Sequence, residues 1–139
     1  MEITANALQT VNVGSNVLFT ETAVKGNCSI IHREGSGLAT LRGITRQCRA
    51  RFKVTFCANI GIPTGGTVGP ISLAIAINGE PVATTTMIST PAAVEEFNNV
   101  FTSIFLDVPA CCCYQVSVRN TSETDIDVQN ANLIVERMA

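Results

Sequence analysis

A chain of 139 residues is the size of one domain and is long enough to bury a hydrophobic core. Apolar residues make up 46% of it and charged residues only 14%, against the roughly 25% usual for soluble domains, so it has few charges with which to cover an ordinary monomer's surface. A net charge of −2 and a pI near 5.3 argue against nucleic-acid binding, which needs concentrated Lys and Arg. No apolar run is long enough to span a bilayer, so no membrane is expected as a partner. The opening MEITANALQT lacks the basic-then-apolar layout of a secretory signal, and the expectation is a chain made in the cytoplasm and kept there or released by lysis.

Strand signals dominate from the N-terminus onward. Leu8 to Val13 alternates, Gly14-Ser15-Asn16 breaks it, and Val17 to Thr22 follows. Lys25-Gly26-Asn27 reads as a turn, Cys28 to His32 as a strand, Glu34 to Gly37 as a flexible connection and Leu38 to Leu41 as a short strand. In Arg49 to Ala58 the alternation places Ala50, Phe52, Val54 and Phe56 inward and Arg51, Lys53 and Thr55 outward.

Ile71 to Ile77 carries Ile71, Leu73, Ile75 and Ile77 on one face and the small Ser72, Ala74 and Ala76 on the other. Asn78-Gly79 tolerates positive φ at both positions, which predicts a tight hairpin with Val82 to Met87 as the returning strand. Pro91 to Glu96 has room for one helical turn. Tyr114, Val116 and Val118 alternate with polar residues, Asn120 to Glu123 is a turn, and Ile126 to Val128 and Leu133 to Val135 follow, separated by Gln129-Asn130. Short strands at this spacing, with no helical period between them and no linker or repeat, predict a single all-β domain over 1–139: an antiparallel jelly-roll sandwich.

The segment Asn99 to Val108 is apolar on both faces, Phe101, Ser103 and Phe105 on one and Val100, Thr102, Ile104, Leu106 and Val108 on the other. Two-sided burial suits sheets covered by helices, and no amphipathic helix is apparent to do the covering. A second copy of the chain is the expected cover.

Chemistry-bearing residues are few. The six cysteines, Cys28, Cys48, Cys57 and the run Cys111-Cys112-Cys113, allow about fifteen complete pairings. Three readings stand: reduced, buried thiols; a disulfide between Cys28 or Cys48 and the Cys111–Cys113 run, within or between chains; and a metal site, the least favoured because no Cys-x-x-Cys pair occurs and His32 is the sole imidazole. A Ser–His–Asp or Cys–His arrangement would also depend on His32, and no Gly-x-Ser-x-Gly elbow is present, so no enzyme, catalytic residue or cofactor is expected.

Arg42, Arg46, Arg49 and Arg51 surround Cys48 and would suit a phosphate, a sialic acid or a partner's carboxylates, although a solvated loop balanced by acids is the simpler reading. Glu123, Asp125 and Asp127 alternate, which fits a calcium site less well than a wet sheet surface. Asn27-Cys28-Ser29 and Asn120-Thr121-Ser122 match the glycosylation sequon.

The segments VNVGSNVLFTET, GNCSIIHREGSG, ARFKVTFCANI and VSVRNTSETDIDVQNANLIVERM together resemble the trimeric jelly-roll domains of the tumour necrosis factor and complement-head type, in their bacterial and phage versions. The resemblance spans nearly the whole chain on loose aromatic and aliphatic motifs. It implies a homotrimer with an interface drawn from Phe101, Ile104, Phe105, Tyr114 and Val116. The likeness includes the heads of collagen-like spore-surface proteins, but without a Gly-X-Y stalk a compact head of this kind is similar to small phage-encoded virion proteins that decorate capsids or tip fibres.

The expectation is therefore a non-enzymatic structural trimer located on the virion and attached to a larger assembly through its N-terminal segment, about Met1 to Thr10. The alternative is a carbohydrate- or surface-binding module of a bacterial or spore surface, with the arginine loop or a subunit seam as its glycan site. The paucity of Trp and Tyr weighs against that alternative.

Overall fold

A computed structural model describes all 139 residues. Twelve strands run in the order β1 (Glu2–Ala5), β2 (Gln9–Val11), β3 (Glu21–Val24), β4 (Ile30–His32), β5 (Ala39–Arg42), β6 (Arg49–Gly61), β7 (Ile71–Ile77), β8 (Glu80–Pro81), β9 (Met87–Ser89), β10 (Asn98–Pro109), β11 (Cys113–Asn120) and β12 (Ile126–Arg137). The first sheet has the order β10-β6-β12-β1-β3, with β2 also on β12; the second has β4-β5-β11-β7-β8, with β9 also on β7. Every pairing is antiparallel, and the non-consecutive neighbours make the two sheets a jelly-roll sandwich.

Period-two alternation builds the core. Ala50, Phe52, Val54 and Phe56 of β6 are fully buried and face Leu73 and Ile75 of β7 and Val116 and Val118 of β11 in one apolar cluster. Phe19 meets Phe56 edge to face at 6.3 Å, a geometry that adds about 1 kcal/mol to the burial of two rings. The Asn78-Gly79 turn forms as expected, with φ of 53° and 85°, and Asn78 Oδ1 accepts the backbone N–H of Gln115 at 2.9 Å.

Several local expectations are corrected. Only Gln9–Val11 of the first alternating segment is a strand. Residues 17–20 are not a strand but a crossing between sheets: Val17 N–H donates to Val118, Phe19 to Ser36 and Thr20 to Thr4, while the Gln9 amide pairs with both backbone groups of Leu18. The return strand after the hairpin is broken by a 3-10 turn at Ala83–Thr85, because the Thr85 hydroxyl accepts Ile75 N–H and donates to Val82 O in place of the ladder. No helix forms at Pro91 to Glu96; Glu95 takes φ 64° and donates its N–H to Ile62 O. The last two expected strands are one, β12, interrupted by a bulge where Asn130 has φ 56°.

The N-terminal segment, the expected attachment to a larger assembly, is built into the sandwich. Its alternation points Ile3 and Ala5 into the core, β1 pairs with both β12 and β3, and the Met1 amino group donates to Val135 O at 2.7 Å.

Candidate interaction face

The outer face of the first sheet is assembled by cross-strand register. Three cross-strand rows run from β10 through β6 to β12: Phe105, Lys53 and Glu136; Ser103, Thr55 and Ile134; and Phe101, Cys57 and Asn132. The two phenylalanines are 64% and 61% exposed, in the same strand whose Val100, Leu106 and Val108 are buried. Lys53 Nζ stands 6.0 Å from the Phe105 ring centroid, a cation–π contact, and the Thr55 and Ser103 hydroxyls bond at 3.1 Å. β10 is an edge strand twelve residues long, hydrogen-bonded on one side only. A long edge with exposed aromatics is a surface that solution chemistry penalises unless something covers it.

Polar groups frame this apolar strip at both ends. At one end, amides link side to side: Asn99 donates to Asn59 at 3.2 Å, Asn59 to Asn130 at 3.1 Å and Asn130 to Asn6 at 2.5 Å. At the other, Arg51 holds Asp107 with two bonds and Arg49 shares the same carboxylate at 3.0 Å. The sequence did not assign Cys57, Ile134 or the asparagine row to this face, because they come from separate segments of the chain and only the register unites them.

Of the five expected interface residues, only Phe101 and Phe105 lie on this face. Ile104 points inward opposite Val54 and packs partly on the core; Tyr114, opposite Leu41 on the other sheet, does the same; Val116 is fully buried. Val116 is thus a residue of the chain's own core, and Ile104 and Tyr114 serve it too.

The four arginines do not converge. Arg42 belongs to the second sheet and donates to Cys28 O at 3.2 Å, Arg49 and Arg51 are ion-paired on the first, and Arg46 makes no ion pair. His32 presents both ring nitrogens to backbone carbonyls, Leu38 O at 3.0 Å and Phe19 O at 3.2 Å, so its contacts are structural.

Glu123, Asp125 and Asp127 do not share one surface. Asp127 is buried and accepts the Thr10 hydroxyl, whereas Asp125 lies before β12 and accepts Val13 N–H. The sequon residue Asn120 is 1% exposed with its amide committed to two carbonyls, out of reach of a glycan. The cysteines correct the expectation of buried thiols: all six are free, five are exposed and Cys57 is half-buried. An open groove of about 440 Å³ lies between residues 67–72, Ile88 and residues 121–124, and its Ser72, Thr121 and Ser122 hydroxyls are already bonded within the chain.

No protein-family model matches the sequence, and no curated protein aligns with it significantly. Among solved structures, the globular domain of the zebrafish complement 1qA protein is similar over 96% of this chain and 93% of its own, at 12% identity and a TM-score of 0.63. Two family 35 carbohydrate-binding modules are more distantly similar. One, from an environmental isolate, has 11% identity, coverage of 100% and 98% and a TM-score of 0.39. The other, from Cellvibrio japonicus, has 12% identity, coverage of 100% and 97% and a TM-score of 0.37. The chain therefore has the jelly-roll fold of a complement-type globular head.

Proposed function

We propose that this chain is a non-enzymatic structural head in which three copies close the outer faces of their first sheets around a common axis. The carrying observation is the pair Phe101 and Phe105, both more than 60% exposed on a long edge strand. Burying both rings between copies removes apolar surface worth about 2 kcal/mol per ring, and the flanking amide row and Arg–Asp cluster set the polar rim that interfaces need. The resemblance to tumour necrosis factor and complement heads supports three copies as the number. Within that class, decoration of a phage capsid or fibre is the reading we favour over a glycan-binding surface module, because the arginines that would have formed a glycan site are dispersed or paired.

Light scattering tests the assembly. The expected mass is three times 14.7 kDa, falling to that of one chain in a Phe101→Glu, Phe105→Glu variant with unchanged circular dichroism. A wild-type protein that stays a single folded chain at micromolar concentration overturns the trimer. Absence of the protein from purified virions of the host's phages overturns the decoration role.

A further inference from the structure

Six cysteines form an even set in the sequence, but the fold divides them five and one. Arg42 pairs in register with Cys113 and donates to Cys28 O. The next residue, Gly43, donates its N–H to Cys112 O at 2.8 Å and accepts from Cys111 N–H at 3.0 Å, and Ala110 N–H donates to Cys48 O at 3.0 Å. These bonds gather Cys28, Cys48, Cys111, Cys112 and Cys113 at one end of the sandwich, all free and exposed. Cys57 lies nine residues along from Cys48, almost all of it the extended strand β6, which places it about 30 Å away and beyond any disulfide with that end.

Five is odd. Whatever pairs form within one chain, one thiol at this end stays unpaired. Neighbours in the Cys111–Cys113 run make poor partners for each other, since Cα atoms one peptide apart are closer than a relaxed disulfide allows. From this we propose that the cysteine end is a covalent junction between copies of this chain, each presenting to the other the thiol it cannot satisfy itself. The oxidant is a small-molecule disulfide of the glutathione class.

A thiolate of one copy attacks that disulfide, forming a mixed disulfide and releasing one small thiol. A thiolate of a second copy then attacks the protein sulfur and releases the other. Two protein thiols are oxidised to one interchain disulfide and the small disulfide is reduced to two thiols. The junction is independent of the trimer proposed above and would link single chains or trimers alike.

The test incubates reduced protein, an equal mixture of unlabelled and ¹⁵N-labelled chains, with oxidised glutathione, then blocks free thiols. On a non-reducing gel, dimers and higher species reversed by dithiothreitol are expected, unchanged in Cys57→Ser. Disulfide-linked peptides drawn from residues 28, 48 and 111–113 should carry mixed isotopes. Two results overturn the proposal: isotopically pure linkages together with glutathione-capped single chains, or cross-linking lost in Cys57→Ser. The peptide map needs no variant of the cysteine end to fold, and light scattering under reductant reports on the trimer separately.

Discussion

Arg51 grips Asp107 across the β6–β10 ladder, its Nε and Nη2 donating to the two carboxylate oxygens at 2.8 and 3.0 Å. The two residues are direct register partners, so the strands themselves hold the pair in a bidentate geometry. Arg49, two residues earlier on the same face, adds a second contact to Asp107 at 3.0 Å. Hydrogen bonding to Arg51 is the main reason the Asp107 carboxyl titrates below its ordinary value of 3.8, and it raises the already high Arg51 value further.

A carboxyl whose folded-state pKa is depressed stabilises the fold above its unfolded pKa and loses that contribution as pH falls through the folded one. Asp107→Asn should therefore melt below the wild type at pH 7, by a small margin because the pair is exposed. The gap should close as pH drops beneath 3.8. Thermal melts of both proteins from pH 7 to pH 2 check it; a gap that stays constant would separate the effect from ionisation. Added salt should narrow the difference at pH 7.

Gly43 is the keystone of the cysteine end. A Cβ placed on it would lie 2.1 Å from Pro109 O and 3.2 Å from Cys112 O, both backbone atoms that cannot swing aside. Gly43→Ala must push the β10–β11 turn away and break the two backbone bonds that lock it, at a cost of about 1–3 kcal/mol. Urea denaturation measures this loss. Hydrogen exchange should show faster amides at position 43 and at Cys111, the two donors of those bonds, while β7 keeps its protection.

What could be read from the sequence was what local periodicity encodes. β6 alternates cleanly because one face meets the core and the other does not, β7 because large side chains fill the core on one face and small ones line the other, and the division of β10 into two faces follows from the same period of two. The Asn78-Gly79 hairpin is legible because positive φ at consecutive residues has few solutions. Periodicity says which residues share a face, but not which sheet that face belongs to. Tyr114 and Val116 could thus be grouped with Phe101 until the topology put them on the opposite sheet, facing inward.

Segment 17–20 hides for another reason: its backbone partners, Val118, Ser36 and Thr4, are scattered through the chain, and a Gln9 side chain replaces one strand partner. The division of the cysteines likewise needs strand order, since Cys28 and Cys113 meet only through Arg42.

Asn120 holds the opposite end of the sandwich from a buried position. Its Nδ2 donates to Val11 O and Thr124 O, both at 3.0 Å, and its Oδ1 accepts Ser122 N–H at 2.9 Å and the Ser122 hydroxyl. Two donors and one acceptor thus tie β11 to β2 and to the turn before β12. Asn120→Ala strips partners from three backbone groups, two of them buried, and should cost about 3 kcal/mol. Asn120→Asp keeps the shape but removes both donors and aims a carboxylate at two carbonyl oxygens. Burial and those oxygens disfavour the charged form, so the variant's carboxyl should titrate above its unfolded value. The folded variant then binds more protons than the unfolded chain, and its stability rises as pH falls toward 4. The deficit of Asn120→Asp against wild type should accordingly shrink between pH 7 and pH 4, while that of Asn120→Ala stays flat. Melting curves of the three proteins at both pH values decide it: parallel deficits would mean that the Asp side chain has swung out to solvent and that the network does not hold position 120 in place.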